Sequence, residues 1–202
     1  MEYSNLVIVV CRHPERMRDN VSETGGMQAI KLARHLQRQD LVPDRVQHSG
    51  ANRTRQAANF MAIAISAYEL IPEENRDFNF MNVIESMNGL TIDSIGENYD
   101  SIEEDGGTVR AALAHNVYAR RVRDYLPMAL QKLCQEMEAQ EQKRAWIVSH
   151  GYFAELAVPN VIRGEIPYGI GYSDAIIYYM SRSDDDCDII KAEYLPFDSI
   201  KD

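Results

Sequence analysis

Six consecutive residues, Leu6-Val-Ile-Val-Val-Cys11, run straight into Arg12, His13, Pro14 and Glu15. A short apolar run rich in β-branched side chains and cut off by proline predicts a strand buried on both faces, as in a parallel sheet. Arg12 and His13 then stand at the carboxyl end of that strand. Open α/β sheets bind ligands along that edge.

The residues that follow alternate in character. Arg16 to Val21 reads as a polar loop, and Ser22 as the cap of a helix that holds Gly25 and Gly26 in its first turn and repeats Ala29, Leu32, Ala33 and Leu36 at helical spacing. Val42 to Ser49 predicts a weaker strand, interrupted by Pro43. A helix from Asn52 to about Leu70 follows, apolar nearly all round at its middle, so it is expected to pack against the sheet and a further element. Strand, helix, strand, helix is the pattern of a parallel sheet. Pro72 to Gly107 is acidic, rich in Asn and broken only by Met81–Glu85, which predicts an insertion or a mobile loop at the site edge. Thr108 looks like the cap of a second long helix that Pro127 must kink or split. Arg144 to Ser149 predicts another buried strand ending at His150-Gly151, followed by a short helix over Gly151 to Ile162. A strand at Ala175 to Met180, a turn at Asp184 to Asp186 and an antiparallel edge strand around Ile189 to Leu195 complete the chain. The expected architecture is one α/β domain over residues 1–202, with a mostly parallel central sheet flanked by helices and an insertion at about 72–107.

Composition narrows the function classes. The formal net charge of -10 argues against nucleic-acid binding through a broad basic surface. Cys11, Cys134 and Cys187, odd in number and far apart, predict neither a disulfide framework nor a metal-ligand spacing, and fit a reducing compartment. With no secretory signal pattern and no apolar run long enough for a membrane helix, the expectation is a soluble, cytoplasmic protein. Oligomeric state leaves no mark in the sequence.

Parallel strands deliver their carboxyl ends to one edge, so His13 and His150 are expected to face each other, with Arg12 arriving beside His13 and Arg53 at the start of the next helix. Spacing from Ser49 favours Arg53 over Arg55. Two histidines, two arginines and a helix N-terminus make a site for a phosphoryl dianion, because the planar guanidinium binds two oxygens at once.

These residues resemble a known family. Arg12-His13 with Glu15 resembles the Arg-His-Gly-Glu signature of the histidine phosphatase superfamily, the phosphoglycerate mutase-like proteins. Ser22-Glu-Thr-Gly25 is similar to its helix start, and Ser49-Gly-Ala-Asn-Arg53-Thr-Arg-Gln-Ala57-Ala58 to its Ser-x-x-x-Arg-Ala-x-Gln-Thr-Ala stretch. Glu85-Ser-Met-Asn-Gly89 is similar to the Glu-x-x-x-Gly that carries its acid, and Ser149-His150-Gly151 to its second histidine. The five matches occur in the family's order from the first strand to about residue 180.

The resemblance implies a three-layer α/β sandwich and a metal-free, cofactor-free phosphomonoesterase acting through a phosphohistidine on His13. Arg12, Arg53, His150, Gly151 and Asn20 would hold the phosphoryl oxygens, and Glu85 would protonate the leaving oxygen. Glu97, Glu103 and Glu104 compete for that last role. Glu15 is read as structural. The implied partner is a small phosphorylated substrate or a phosphoprotein, with no nucleic acid and no membrane. Alternatives are a phosphoglycerate mutase-type phosphotransferase, a protein phosphohistidine phosphatase, and a non-catalytic phospho-ligand binding protein. Three positions depart from the family pattern: Pro14 replaces glycine, Asp19 stands where asparagine is usual with Asn20 one later, and Ala57 replaces threonine.

Overall fold

The computed structural model describes residues 6–67, 69–158, 166–183 and 186–201. Strand β1 (Leu6–Arg12) lies inside a six-stranded sheet. Beside it runs β6 (Arg144–Ser149), parallel, and on its other side β7 (Ala175–Ser183), antiparallel. Beyond β6 come β4 (Arg45–His48) and the two-residue β5 (Glu73–Glu74), both parallel, and beyond β7 the antiparallel β8 (Asp186–Leu195). The order is therefore β5-β4-β6-β1-β7-β8. Residues 184 and 185 of the expected turn lie outside the described residues, and the edge strand starts earlier than expected. A small hairpin, β2 (Arg16–Met17) with β3 (Asn20–Val21), occupies the segment expected to be plain loop.

Helices cover both faces. On one side α1 (Glu23–Arg38) and α2 (Asn52–Ala64) pack with Val7, Val9, Cys11, Trp146 and Val148; on the other, α5 (Val109–His115) and α6 (Val117–Ala139) pack with Leu6, Ile8, Val10, Ala145 and Ile147. The strand residues alternate between the two cores, as the two-residue period of a strand dictates. Ser22 caps α1 by accepting from the Gly25 amide at 3.0 Å, and its hydroxyl also reaches the Glu15 carboxylate at 2.9 Å. Gly25 is required there, since a Cβ would sit 2.0 Å from the Glu15 carbonyl oxygen.

Several sequence expectations give way to local chemistry. Helix α2 ends at Ala64, short of Leu70. Ser66 adopts φ 59°, and the Ser66 and Ala67 amides donate back to the Ile63 and Ala62 carbonyls, a Schellman turn made without glycine. The helix is also buried on one face only: Ile63 is 57% exposed and Phe60 borders on exposed. The second long helix breaks at Asn116, not at Pro127, because Asn116 is extended (φ -114°, ψ 126°) and starts α6 as its N-cap while α6 runs on through Pro127. Residues 72–107 are no structureless loop. They hold α3 (Phe80–Ser86), α4 (Tyr99–Glu104) and 3-10 turns at Arg76–Phe78 and Ile92–Ile95, anchored by buried Phe78, Val83, Ile84 and Ile102. Gly151–Ala157 forms turns in place of the expected helix, and residues 159–162 lie outside the described residues.

The cysteine expectation is also corrected. Cys134 of α6 and Cys187 of β8 pair as a disulfide, with Cα atoms 6.4 Å apart, because α6 packs over the edge strand. Cys11 is free and buried, and burial pushes its thiol up to about 12, away from reactivity. No helix among the described residues is long and apolar enough to cross a membrane.

Candidate active site

Strand register brings the two histidines together. Arg12 is level with Ser149 across the β1–β6 ladder, and the His13 amide donates to the Ser149 carbonyl at 2.9 Å. The next residue on each strand is a histidine, and the two rings stand edge to face with centroids 5.4 Å apart. His13 is 4% exposed and His150 5%. Burial, reinforced by Arg53, Arg12 and Arg16, lowers His13 to about 4 and His150 to about 2, so both are neutral at pH 7.

Each ring has an assigned tautomer. The Nδ1 of His13 lies 2.9 Å from the Pro14 carbonyl, which can only accept, so the proton is on Nδ1 and Nε2 carries the lone pair. Proline in place of glycine therefore removes an amide hydrogen and keeps the carbonyl that orients the nucleophile. For His150, Ser49 donates its hydroxyl to Thr54 Oγ1 at 3.2 Å, and Thr54 donates to the Ala51 carbonyl. Ser49 is thereby left to accept from His150 Nε2 at 3.0 Å, and Nδ1 accepts from Arg53 Nη2 at 3.3 Å.

The arginines are held at their flanks. Arg12 donates through Nη1 to the Ile170 carbonyl at 2.5 Å, and its guanidinium lies 4.3 Å from the centre of the Tyr172 ring. The Asp174 carboxylate fixes that turn by accepting from the Gly171 and Phe197 amides at 2.7 and 2.8 Å. Arg53 enters from the first turn of α2, which has no side-chain cap, and lies 3.8 Å from Asp19. The Nε atoms of both arginines are buried without a hydrogen-bond partner. Gly151 permits this packing: a Cβ there would come within 3.1 Å of Arg12 Cδ and of the Ile170 carbonyl.

Arg12, His13, Arg16, Arg53, His150 and Gly151 form one end of a 720 Å³ cavity. Ile92, Asp93, Ile95, Gly96, Glu97 and Tyr99 supply a second wall from another segment, and Tyr152 follows Gly151 in the lining. Five of the sequence-predicted residues (Arg12, His13, Arg53, His150, Gly151) thus converge. Two do not. Glu85 is exposed and does not line the cavity, since Val83 and Ile84 are the residues α3 buries. Asn20 is also outside it, its Oδ1 taken by Asn52 Nδ2 at 2.5 Å and Gln56 Nε2 at 3.0 Å. Glu15 holds Ser22. His48 accepts from the Gly50 amide and does not line the cavity.

Sequence reasoning missed Arg16, Tyr172, Glu155 and, apart from Glu97, the residues of the Ile92–Tyr99 wall; Glu97, a competitor for the acid, lines the cavity, and Glu103 and Glu104 do not. The signal for Tyr172 was the glycine-flanked Gly-Ile-Gly-Tyr run; Glu155 had none beyond lying five residues past His150. Glu155 is wholly buried, accepts through Oε1 from the Tyr152 and Gly169 amides at 2.8 and 2.7 Å, and is pushed up to about 7 by burial. Among the described residues no three His, Cys, Asp or Glu side chains group as a metal site.

No protein-family model matches the sequence, and no curated protein matches it. Solved structures do. A phosphoglycerate mutase from Bacillus anthracis is similar over 92% of this chain and 95% of its own, at 14% identity and a TM-score of 0.59. The protein histidine phosphatase SixA complexed with tungstate is similar over 97% and 100%, at 15% identity and 0.54. A mycobacterial glucosyl-3-phosphoglycerate phosphatase complexed with VO3 is similar over 94% and 97%, at 17% identity and 0.53. At these identities the likeness is one of fold, and function rests on the site.

Proposed function

We propose, for a chain with the phosphoglycerate mutase-like α/β fold of histidine phosphatases, that it hydrolyses phosphomonoesters through a phosphohistidine on His13. The observation that carries this reading is the neutral His13 ring, locked by Pro14 with Nε2 unprotonated, beside His150 at the arginine-walled end of the cavity. Nε2 attacks phosphorus and the ester P–O bond breaks; the leaving oxygen takes a proton from a carboxyl group. Water then attacks phosphorus, the P–N bond breaks, the same carboxylate takes the water proton, and inorganic phosphate departs. Arg12, Arg53 and Arg16 offset the phosphoryl charge throughout, and Gly151 lets Arg12 lie close. His150 stays neutral beside His13, held through its two ring nitrogens by Ser49 and Arg53.

For the acid we favour the Ile92–Tyr99 wall, whose Asp93 and Glu97 line the cavity, over Glu85, which does not. Because most of that wall is exposed, water reaches the site, which supports hydrolysis over mutase-type transfer. The carboxylates also disfavour leaving groups that carry a second anion. An aryl phosphate with a carboxylate on its ring is expected to show a kcat/KM about ten-fold below its neutral analogue. Equal rates would contradict the assignment of that wall.

The direct test is steady-state release of inorganic phosphate from an aryl phosphate in the presence of a chelator. Turnover should persist, and His13→Ala should abolish it. Phosphate binding without turnover across many esters would favour a binding protein.

A further inference from the structure

We infer that Asn116, outside the cavity, is the positioning residue that sets the Ile92–Tyr99 wall of the cavity and so governs how the leaving group is held. This rests on the hydrolase reading for its consequence and on geometry for its substance. Asn116 is wholly buried at the break between α5 and α6. Its Oδ1 accepts from the Ala119 amide at 2.9 Å and caps α6. Its Nδ2 donates to three carbonyls of one segment: Ser94 at 2.9 Å, Ile95 at 3.2 Å and Glu97 at 2.8 Å. Two N–H bonds serving three acceptors make one of them shared, and the side chain is fully engaged at both ends.

The segment has few other polar ties. Among the described residues, the backbone amides of 94, 96, 99 and 102 donate only to carbonyls three or four positions back. The remaining links to the body are side-chain bonds: Tyr168 hydroxyl to the Ile95 carbonyl at 3.1 Å, and Asn98 Nδ2 to the His115 carbonyl at 2.8 Å. The latter also ends on the α5–α6 break. That segment supplies Asp93, Ile95, Gly96, Glu97 and Tyr99 to the cavity, whereas Arg12, His13, Arg53 and His150 come from the sheet and α2. Weakening Asn116 therefore loosens one side of the cavity and spares the other.

Asn116→Asp keeps the cap oxygen and replaces the donor with an oxygen facing three carbonyls; Asn116→Ser keeps the cap and removes the donor. In both, amide hydrogen exchange over residues 92–99 should quicken about ten-fold or more, the loss expected for buried hydrogen bonds. Vanadate affinity should stay within about two-fold. KM for a naphthyl phosphate should rise about ten-fold while that for methyl phosphate stays near the wild-type value. If these variants fail to fold, Tyr168→Phe, which deletes only the bond to Ile95, should move exchange and KM in the same direction by a smaller factor. Unchanged exchange, or vanadate affinity falling in step with it, would overturn the inference. A wild type that turns over no ester would sink the hydrolase reading and leave the exchange measurement to decide this one.

Discussion

A nucleophilic imidazole must be neutral and must present the correct nitrogen, and His13 meets both conditions through one hydrogen bond and burial. Nitrogen-15 NMR of the histidine rings should show His13 protonated on Nδ1 and His150 on Nε2, both neutral down to about pH 5; a ring titrating near 6.5 would contradict the burial described. Glu155 runs the other way. Its folded pKa of about 7 lies above the unfolded value, so the folded state binds more protons between about pH 4.5 and 7, and stability falls as pH rises through that window. Glu155→Gln should flatten the fall, leaving the variant more stable than wild type above pH 7 by about 1–3 kcal/mol, as thermal melts across pH would read. Gly151→Ala should lower kcat/KM about ten-fold or more by pushing Arg12 off the phosphoryl group. At this scale the sequence was legible where backbone register dictates position: Arg12, His13, Arg53, His150 and Gly151 sit at strand ends or in a helix's first turn. Glu85 and Asn20 failed to join them because α3 buries Val83 and Ile84 and leaves Glu85 exposed, and the β2–β3 hairpin ties Asn20 to Asn52 and Gln56.

Helix starts were read from side chains that satisfy orphan amides, and these held. Ser22 and Thr108 each accept from an amide three residues on. Ser22→Ala should cost about 1 kcal/mol in urea unfolding, and it also removes the hydroxyl that joins the 13–22 loop to Glu15. No loss would mean that the loop does not depend on the cap. Helix ends were harder to read. The stop at Ala64 comes from a left-handed serine, which sequence offers no reason to prefer over the apolar run continuing. The break at Asn116 was hidden because its amide serves both the helix and the site wall, and only the second partner, far off in sequence, reveals why an asparagine stands there. The elements within residues 72–107 leave little periodic signal because they owe their form to buried Phe78 and Ile102.

Across the whole molecule, β6 inserts between β1 and β4, so the strand from the last third of the chain carries His150 to the centre of the edge built by the first. Sequence announced a parallel sheet from its apolar runs but not that β7 lies antiparallel against β1, since a strand buried on both faces looks the same either way. The pairing of Cys134 with Cys187 was hidden for a related reason: a packing contact between α6 and β8 sets it, not spacing. The proposed reaction passes a phosphoryl group to His13, and trapping that intermediate tests the proposal most directly. Acid-free quenching during turnover of a radiolabelled phosphomonoester should leave a base-stable, acid-labile label on the peptide containing His13, absent from His13→Asn. Continued phosphate release with no such label, or a label that persists in the variant, would contradict the account.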